Sequence, residues 1–251
     1  DRLRTLVPGS GHLLHMPAHV YMRTGRYADA SRANEASIAA DRAYEAQVDA
    51  QRAYRVGYVA HNHHFLFASA AMEGRSRAAI GAADAAFPAA CGPNPPDRST
   101  GILQQYAVLP LFARVRFGQW RALLEDTLPP DGPEPYPRAI WHYARGTAYA
   151  KTGRPAEARA ELARLDAVAA DPALTQIKVK NINAAVALVR IAQLTLAADI
   201  AAADRRTADA VALLTQAVAV EDALVYDEPH LWLAPTRHAL GAALIAAGRY
   251  D

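Results

Sequence analysis

Glycine followed by a basic residue or glutamine breaks this chain at spaced stations: Gly25-Arg26, Gly74-Arg75, Gly118-Gln119, Gly153-Arg154 and Gly248-Arg249. Each closes a dozen or so helix-forming residues, and alanine-rich amphipathic runs lie between them. Glycine past a helix end takes the left-handed cap at little steric cost, and the next run then folds back as a helical hairpin. The interval from Gly118 to Gly153 is 35 residues, whereas the 95 residues from Gly153 to Gly248 leave room for two units. There the stretch 203–210, ADRRTADA, reads as a turn without its glycine. Recurrence on this scale is the signature of a helical repeat array.

Alanine and leucine dominate and β-branched runs are rare, so the expected class is all-α. With 251 residues the chain has enough length for one domain or one continuous array. Its 27 basic and 25 acidic residues nearly cancel, and no basic stripe argues for nucleic acid. Cys91 is the one cysteine, which excludes an internal disulfide framework; in CGPNPP it reads as a plain loop thiol. No apolar run is read as reaching the ~18–20 residues of a membrane span, and no targeting segment is visible. A cytoplasmic protein is expected, as a fragment of something longer, since the chain opens on DRLRTLVPG without methionine.

The segment WHYARGTAYAKTGRPAEARAELARL, with Gly146, Tyr149, Gly153 and Ala158, resembles a tetratricopeptide repeat. GHLLHMPAHVYMRTGRYADASRANEASIAAD fits the same frame through Ala18, Tyr21, Gly25, Tyr27 and Ala30, and TRHALGAALIAAGRYD fits through Leu240, Gly241, Gly248 and Tyr250. The resemblance is weak between Gly92 and Asp126. It implies one repeat domain over residues 1–251, an α-solenoid of antiparallel helical hairpins, with small Ala18, Gly146 and Gly241 letting paired helices approach closely. Tyr21, Tyr27, Tyr149 and Tyr250 are expected in hairpin packing, and Trp120, Trp141 and Trp232 in the core. Two proline-rich loops, 92–97 and 128–137, are long enough to cover part of the surface. Pro17 is expected to kink or restart the first helix, and Met16 before it to leave the helical region.

His12, His15 and His19 are spaced i, i+3, i+7, which stacks side chains on one helical face. His61 and His64 repeat the i, i+3 step. In proteins this chain resembles, groove-facing residues stand 13, 10 and 6 places before the turn glycine. Counting back from Gly25 reaches His12, His15 and His19; from Gly74, His61, His64 and Ala68; from Gly248, Pro235, His238 and Ala242. The HMPxH and HNxHF stretches also resemble those of a set of bacterial tetratricopeptide-like proteins. Imidazoles at i, i+3 or i, i+4 chelate transition ions, and an all-histidine set with an open position suits a catalytic ion.

His12, His15, His19, His61 and His64 are therefore candidate ligands for copper, zinc or iron, with His238, Glu228 and His230 as further candidates. A metalloenzyme acting on a small molecule or peptide in the groove is one expectation. The other is a metal-free scaffold whose concave face grips a partner peptide. His63 and His142 are read as structural, and Met22 and Met72 as space-filling. HExxH, nucleophile-elbow, phosphate-loop and dinucleotide fingerprints are absent from the sequence.

Overall fold

The computed structural model describes residues 3–93, 98–125 and 134–250. It is all-α apart from one antiparallel pair of two-residue strands. The chain divides into two compact units, Asp1–Ser99 and Thr100–Asp251. In the first run α1 (Leu3–Leu6), α2 (Gly11–His15), α3 (Pro17–Arg23), α4 (Tyr27–Glu45) and α5 (Arg52–Tyr54), then a π-helical stretch (Arg55–Val59), α6 (Ala60–Met72) and α7 (Ser76–Cys91). In the second run α8 (Gly101–Arg116), α9 (Trp120–Glu125), α10 (Pro135–Lys151), α11 (Pro155–Ala169), α12 (Ala173–Gln176), β1 (Lys178–Val179), β2 (Asn183–Ala184), α13 (Ala185–Ala203), α14 (Thr207–Asp222) and α15 (Thr236–Ala246).

The glycine stations are six copies of one turn. Gly25, Gly74, Gly118, Gly153 and Gly248 all have φ between +64° and +75°. In each copy the following N–H reaches back five residues: Arg26 to Tyr21, Arg75 to Ala70, Gln119 to Arg114, Arg154 to Tyr149 and Arg249 to Leu244, all at 2.9 Å. That is the Schellman closure, which satisfies carbonyls a helix end leaves open. The sixth copy falls in 203–210, where Arg205 holds φ 62° and Arg206 N–H bonds Ala201 C=O at 2.8 Å. The arginine after the turn also repeats its partner, an acid three residues on: Arg26–Asp29, Arg154–Glu157 and Arg206–Asp209. Arg26 and Arg154 lie over the rings of Tyr21 and Tyr149 respectively, at 4.4 and 4.6 Å.

Small residues bring helices together where expected in two of three places. Ala18 is fully buried with Tyr21, Ala30, Ala33 and Phe65, where α3, α4 and α6 meet. A Cβ on Gly146 would stand 2.5 Å from Leu196, so α10 and α13 touch there. Gly241 has open space around its Cα, and α15 packs instead through Ala239, Leu240 and Ala243. Tyr250 is exposed and Trp120 and Trp141 are half-buried, against expectation, because they lie at turn or surface positions; Trp232 is core, between Phe112 and Tyr143. Cys91 is the buried last residue of α7 rather than a loop thiol. Of the proline-rich loops, residues 94–97 and 126–133 lie outside the described residues.

Among the described residues one helix, α13, is long and apolar enough to cross a bilayer, which corrects the sequence reading. Arg190, Gln193 and Asp199 interrupt its apolar run. Leu188, Val189, Ile191 and Leu196 are fully buried, and α13 packs on α10, α11 and α14, the position of a core helix.

Candidate metal centre

The histidine face survives the proline. Pro17 occupies the first position of α3, where its missing N–H removes nothing. Met16 keeps helical angles, φ −50° and ψ −37°, against expectation, so α3 continues the face begun by α2. His15 and His19, four apart, therefore point the same way, and their Nε2 atoms stand 3.0 Å apart. The third histidine arrives from α6. Before it, the π-helical stretch Arg55–Val59 resets the helical phase, and His61 comes to lie against His15, ring centroids 4.9 Å apart.

One nitrogen from each of His15, His19 and His61 falls within 4.8 Å of the other two. Three nitrogens at 2.0–2.1 Å from a tetrahedral ion are separated by about 3.3–3.5 Å, so a modest inward rotation closes the set. Phe65 forms the floor. It is fully buried, one turn beyond His61, and its ring meets His15, His19 and His61 at centroid distances of 4.7, 4.5 and 5.0 Å. An apolar floor fixes the rings' rotamers and leaves the nitrogens as the polar edge. His15 is fully buried while His19 and His61 are half-buried, so the approach is from their side.

The tautomer of His15 follows from its neighbour. Asn34 donates its amide nitrogen to Ala30 C=O at 2.8 Å, which turns Oδ1 toward His15 Nδ1, also at 2.8 Å. Nδ1 must then carry the proton, and the Nε2 lone pair faces His19. The carbonyl behind an imidazole orients it and raises its basicity as a ligand.

Asn34 belongs to a wholly buried polar stripe on α4: Ser31, Asn34, Ser37 and Asp41. Each is partnered. Ser31 donates to the Glu73 carboxylate and shares a hydroxyl–hydroxyl hydrogen bond with Ser69. Ser37 donates to Gly11 C=O at 2.8 Å and accepts from Asn62. Asp41 accepts from Tyr54 Oη and Asn62 Nδ2, both at 2.7 Å. A Cβ on Gly11 would sit 1.9 Å from Asp41, so the start of α2 rests directly on that carboxylate. Burial raises the Asp41 pKa, opposed by the bonds from Tyr54 and Asn62.

His12 flanks the three histidines. Its ring lies 6.2 Å from His15 and edge-on to Tyr58 at 4.7 Å. Burial lowers its pKa, His19 adds to that, and Asp41 opposes it, so the ring is neutral at pH 7. His64 is fully buried one turn beyond His61 and outside the converging three. His63 is buried too, its pKa lowered to about 4 by burial and by Arg42. Met22 packs on the core cluster around Ala18, and Met72 is exposed. His230, Glu228 and His238 belong to the second unit. His230 and His238 are exposed, His230 meets Tyr226 edge-on at 5.6 Å, and the Glu228 carbonyl accepts from Lys180.

Sequence reasoning reached the three converging histidines and missed what holds them. Phe65 carried a usable signal, four residues past His61 on the same face. So did the stripe of Ser31, Asn34, Ser37 and Asp41, at helical spacing inside an alanine-rich run. Comparison of the chain with protein-family models, curated proteins and solved structures gives no match.

Proposed function

We propose that this chain is a tetratricopeptide-like α-solenoid of antiparallel hairpins that binds a transition metal ion (copper, zinc or iron) through His15, His19 and His61. Support for the array is the turn repeated six times, in three copies with an arginine paired to an acid three residues on. Support for the ion is the single observation that three imidazole nitrogens gather within 4.8 Å on a fully buried phenylalanine. Neutral imidazole is a ligand these ions share, and Asn34 supplies the carbonyl behind one of them.

Three protein ligands leave a coordination position open, as in a catalytic rather than a closed structural centre. A small molecule or peptide reaches that position from the side of His19 and His61. There the ion would act as a Lewis acid, lower the pKa of a bound water, or exchange electrons.

The test is elemental analysis and metal titration of full-length, untagged protein. One ion per chain is expected, with copper showing nitrogen hyperfine splitting by electron paramagnetic resonance. A His15→Ala/His61→Ala double variant should lose it. Substoichiometric metal, or uptake unchanged in that variant, overturns the reading.

A further inference from the structure

A line of aromatic rings leads away from the histidines. His12 stacks on His15 at 6.2 Å, Tyr58 meets His12 at 4.7 Å, Tyr54 meets Tyr58 at 5.2 Å, and Tyr44 meets Tyr54 at 5.3 Å. Here Tyr58 is 37% and Tyr44 43% exposed, so the line runs from the fully buried His15 out to water. Its middle member has a proton acceptor in place, since the Tyr54 hydroxyl donates to the buried Asp41 carboxylate at 2.7 Å. A phenol gives up an electron readily only if its proton can leave at the same time.

We propose that Tyr58, Tyr54 and Tyr44 form a relay that carries an oxidising equivalent from a redox-active ion at His15, His19 and His61 to the surface. The proposal rests on the metal reading above and specifies a redox metal, with peroxide as the oxidant. Hydrogen peroxide takes two electrons, one from Cu(I), which becomes Cu(II), and one from a tyrosine. Its O–O bond breaks, and the phenol's proton with one proton from solvent completes two waters. When Tyr54 reduces the Tyr58 radical, exposed Tyr58 takes a proton from water and the Tyr54 proton passes along the existing hydrogen bond to Asp41. Tyr44 then reduces the Tyr54 radical, which recovers its proton from Asp41, while Tyr44 releases its own proton to water. At the surface a soluble thiol returns an electron and a proton to Tyr44, two of the resulting thiyl radicals couple to a disulfide, and the imidazoles are spared.

The experiment uses the full chain loaded with copper. The Cu(II) spectrum is recorded first: without nitrogen coupling that disappears in His61→Ala, the metal reading itself fails and the relay with it. The protein is then reduced to Cu(I), mixed with hydrogen peroxide and a nitroso spin trap, and digested for mass spectrometry. Wild type should carry the adduct on Tyr44. Tyr54→Phe should lose it, with oxidation moving back to Tyr58 and the histidines while the copper spectrum stays intact. Tyr44→Phe, a change at an exposed ring, should leave the adduct on Tyr54 or Tyr58. Equal labelling of Tyr44 in wild type and Tyr54→Phe, or wild-type oxidation confined to the histidines, overturns the relay while leaving the metal site standing.

Discussion

Each unit contains a histidine that reaches nineteen residues along the chain to bond the next helix, and the two are put to different use. In the first, His15 Nδ1 pairs with Asn34 Oδ1 at 2.8 Å; in the second, His142 Nδ1 pairs with Glu161 Oε2 at 2.7 Å. Both histidines and both partners are buried. The acceptors differ in charge. The acceptor of His15 is a neutral amide, and the groups beyond the ring are two more histidines over Phe65. Around His142 stand a carboxylate and the guanidinium groups of Arg145 and Arg164, both paired with Glu161. An ion-pair network of that kind clamps α10 to α11 and would repel a cation from the arginine side. The same nineteen-residue bond thus has a neutral, histidine-lined setting in one unit and a charged, ion-paired one in the other.

Removing a ligand should separate the units most. His61→Ala is expected to lower metal affinity by more than the roughly 10–100-fold that outer partners contribute, measured by competition with a chromophoric chelator. His142→Ala should leave uptake untouched and lower thermal stability instead, because it removes a buried hydrogen bond to the Glu161 carboxylate. Equal metal loss in both variants would dissolve the contrast.

Next comes the neutral acceptor. Asn34→Leu removes the group that fixes the His15 tautomer, and affinity should fall about 10–100-fold. Asn34→Asp imports the kind of acceptor found at Glu161 and should recover most of that loss. Wild-type affinity in Asn34→Leu would mean the amide orients nothing.

The structural tie predicts a pH signature in the second unit. Burial alone would raise the Glu161 pKa, but the His142 bond and the charges of Arg164 and Arg145 bring it below its ordinary value. The unfolded chain therefore binds more protons near pH ~4, and stability rises with pH there. The contribution is present above the ordinary glutamate pKa and fades as pH falls through the lowered one. Glu161→Gln should cost about 1.5–3 kcal/mol at neutral pH, the worth of a hydrogen bond to a charged group. Its denaturation curve should converge on wild type in acid.

How far such features could be read from the chain depends on whether they are local. Turns are local: a residue past a helix end must adopt positive φ, and only certain side chains tolerate it, so the glycines announced them. The i, i+4 relation of His15 and His19 is local too, and it survived because Pro17 fell at a helix start. The pairing of His15 with His61 rather than with His64 depended on the phase of α6, which the π-helical stretch resets through hydrogen bonds that no periodicity displays. His238, Glu228 and His230 were drawn in by a counting rule and by neighbouring acids, and the fold assigns them to the other unit. Asn34 and Asp41 share one helical face with Ser31 and Ser37, which is local, but their burial follows from which neighbours cover α4, a tertiary fact.

The smallest expected effect probes the turn at which the local rule was broken. Arg205 takes the conformation that glycine takes at the five other copies, φ 62° against 64–75°. A side chain in the left-handed region costs roughly 1–2 kcal/mol, part of which glycine would return as unfolded-chain entropy. Arg205→Gly should therefore stabilise the protein by about 0.5–1 kcal/mol. The neighbouring pairs of Arg206 with Asp204 and Asp209 do not involve the altered residue. Gly74→Ala is the converse: nothing crowds a Cβ there, so the backbone penalty alone acts and stability should fall by about 1 kcal/mol. Chemical denaturation of both variants measures one quantity in opposite directions. If Arg205→Gly destabilises, the arginine side chain holds that turn through contacts of its own, and the sixth copy is not equivalent to the rest.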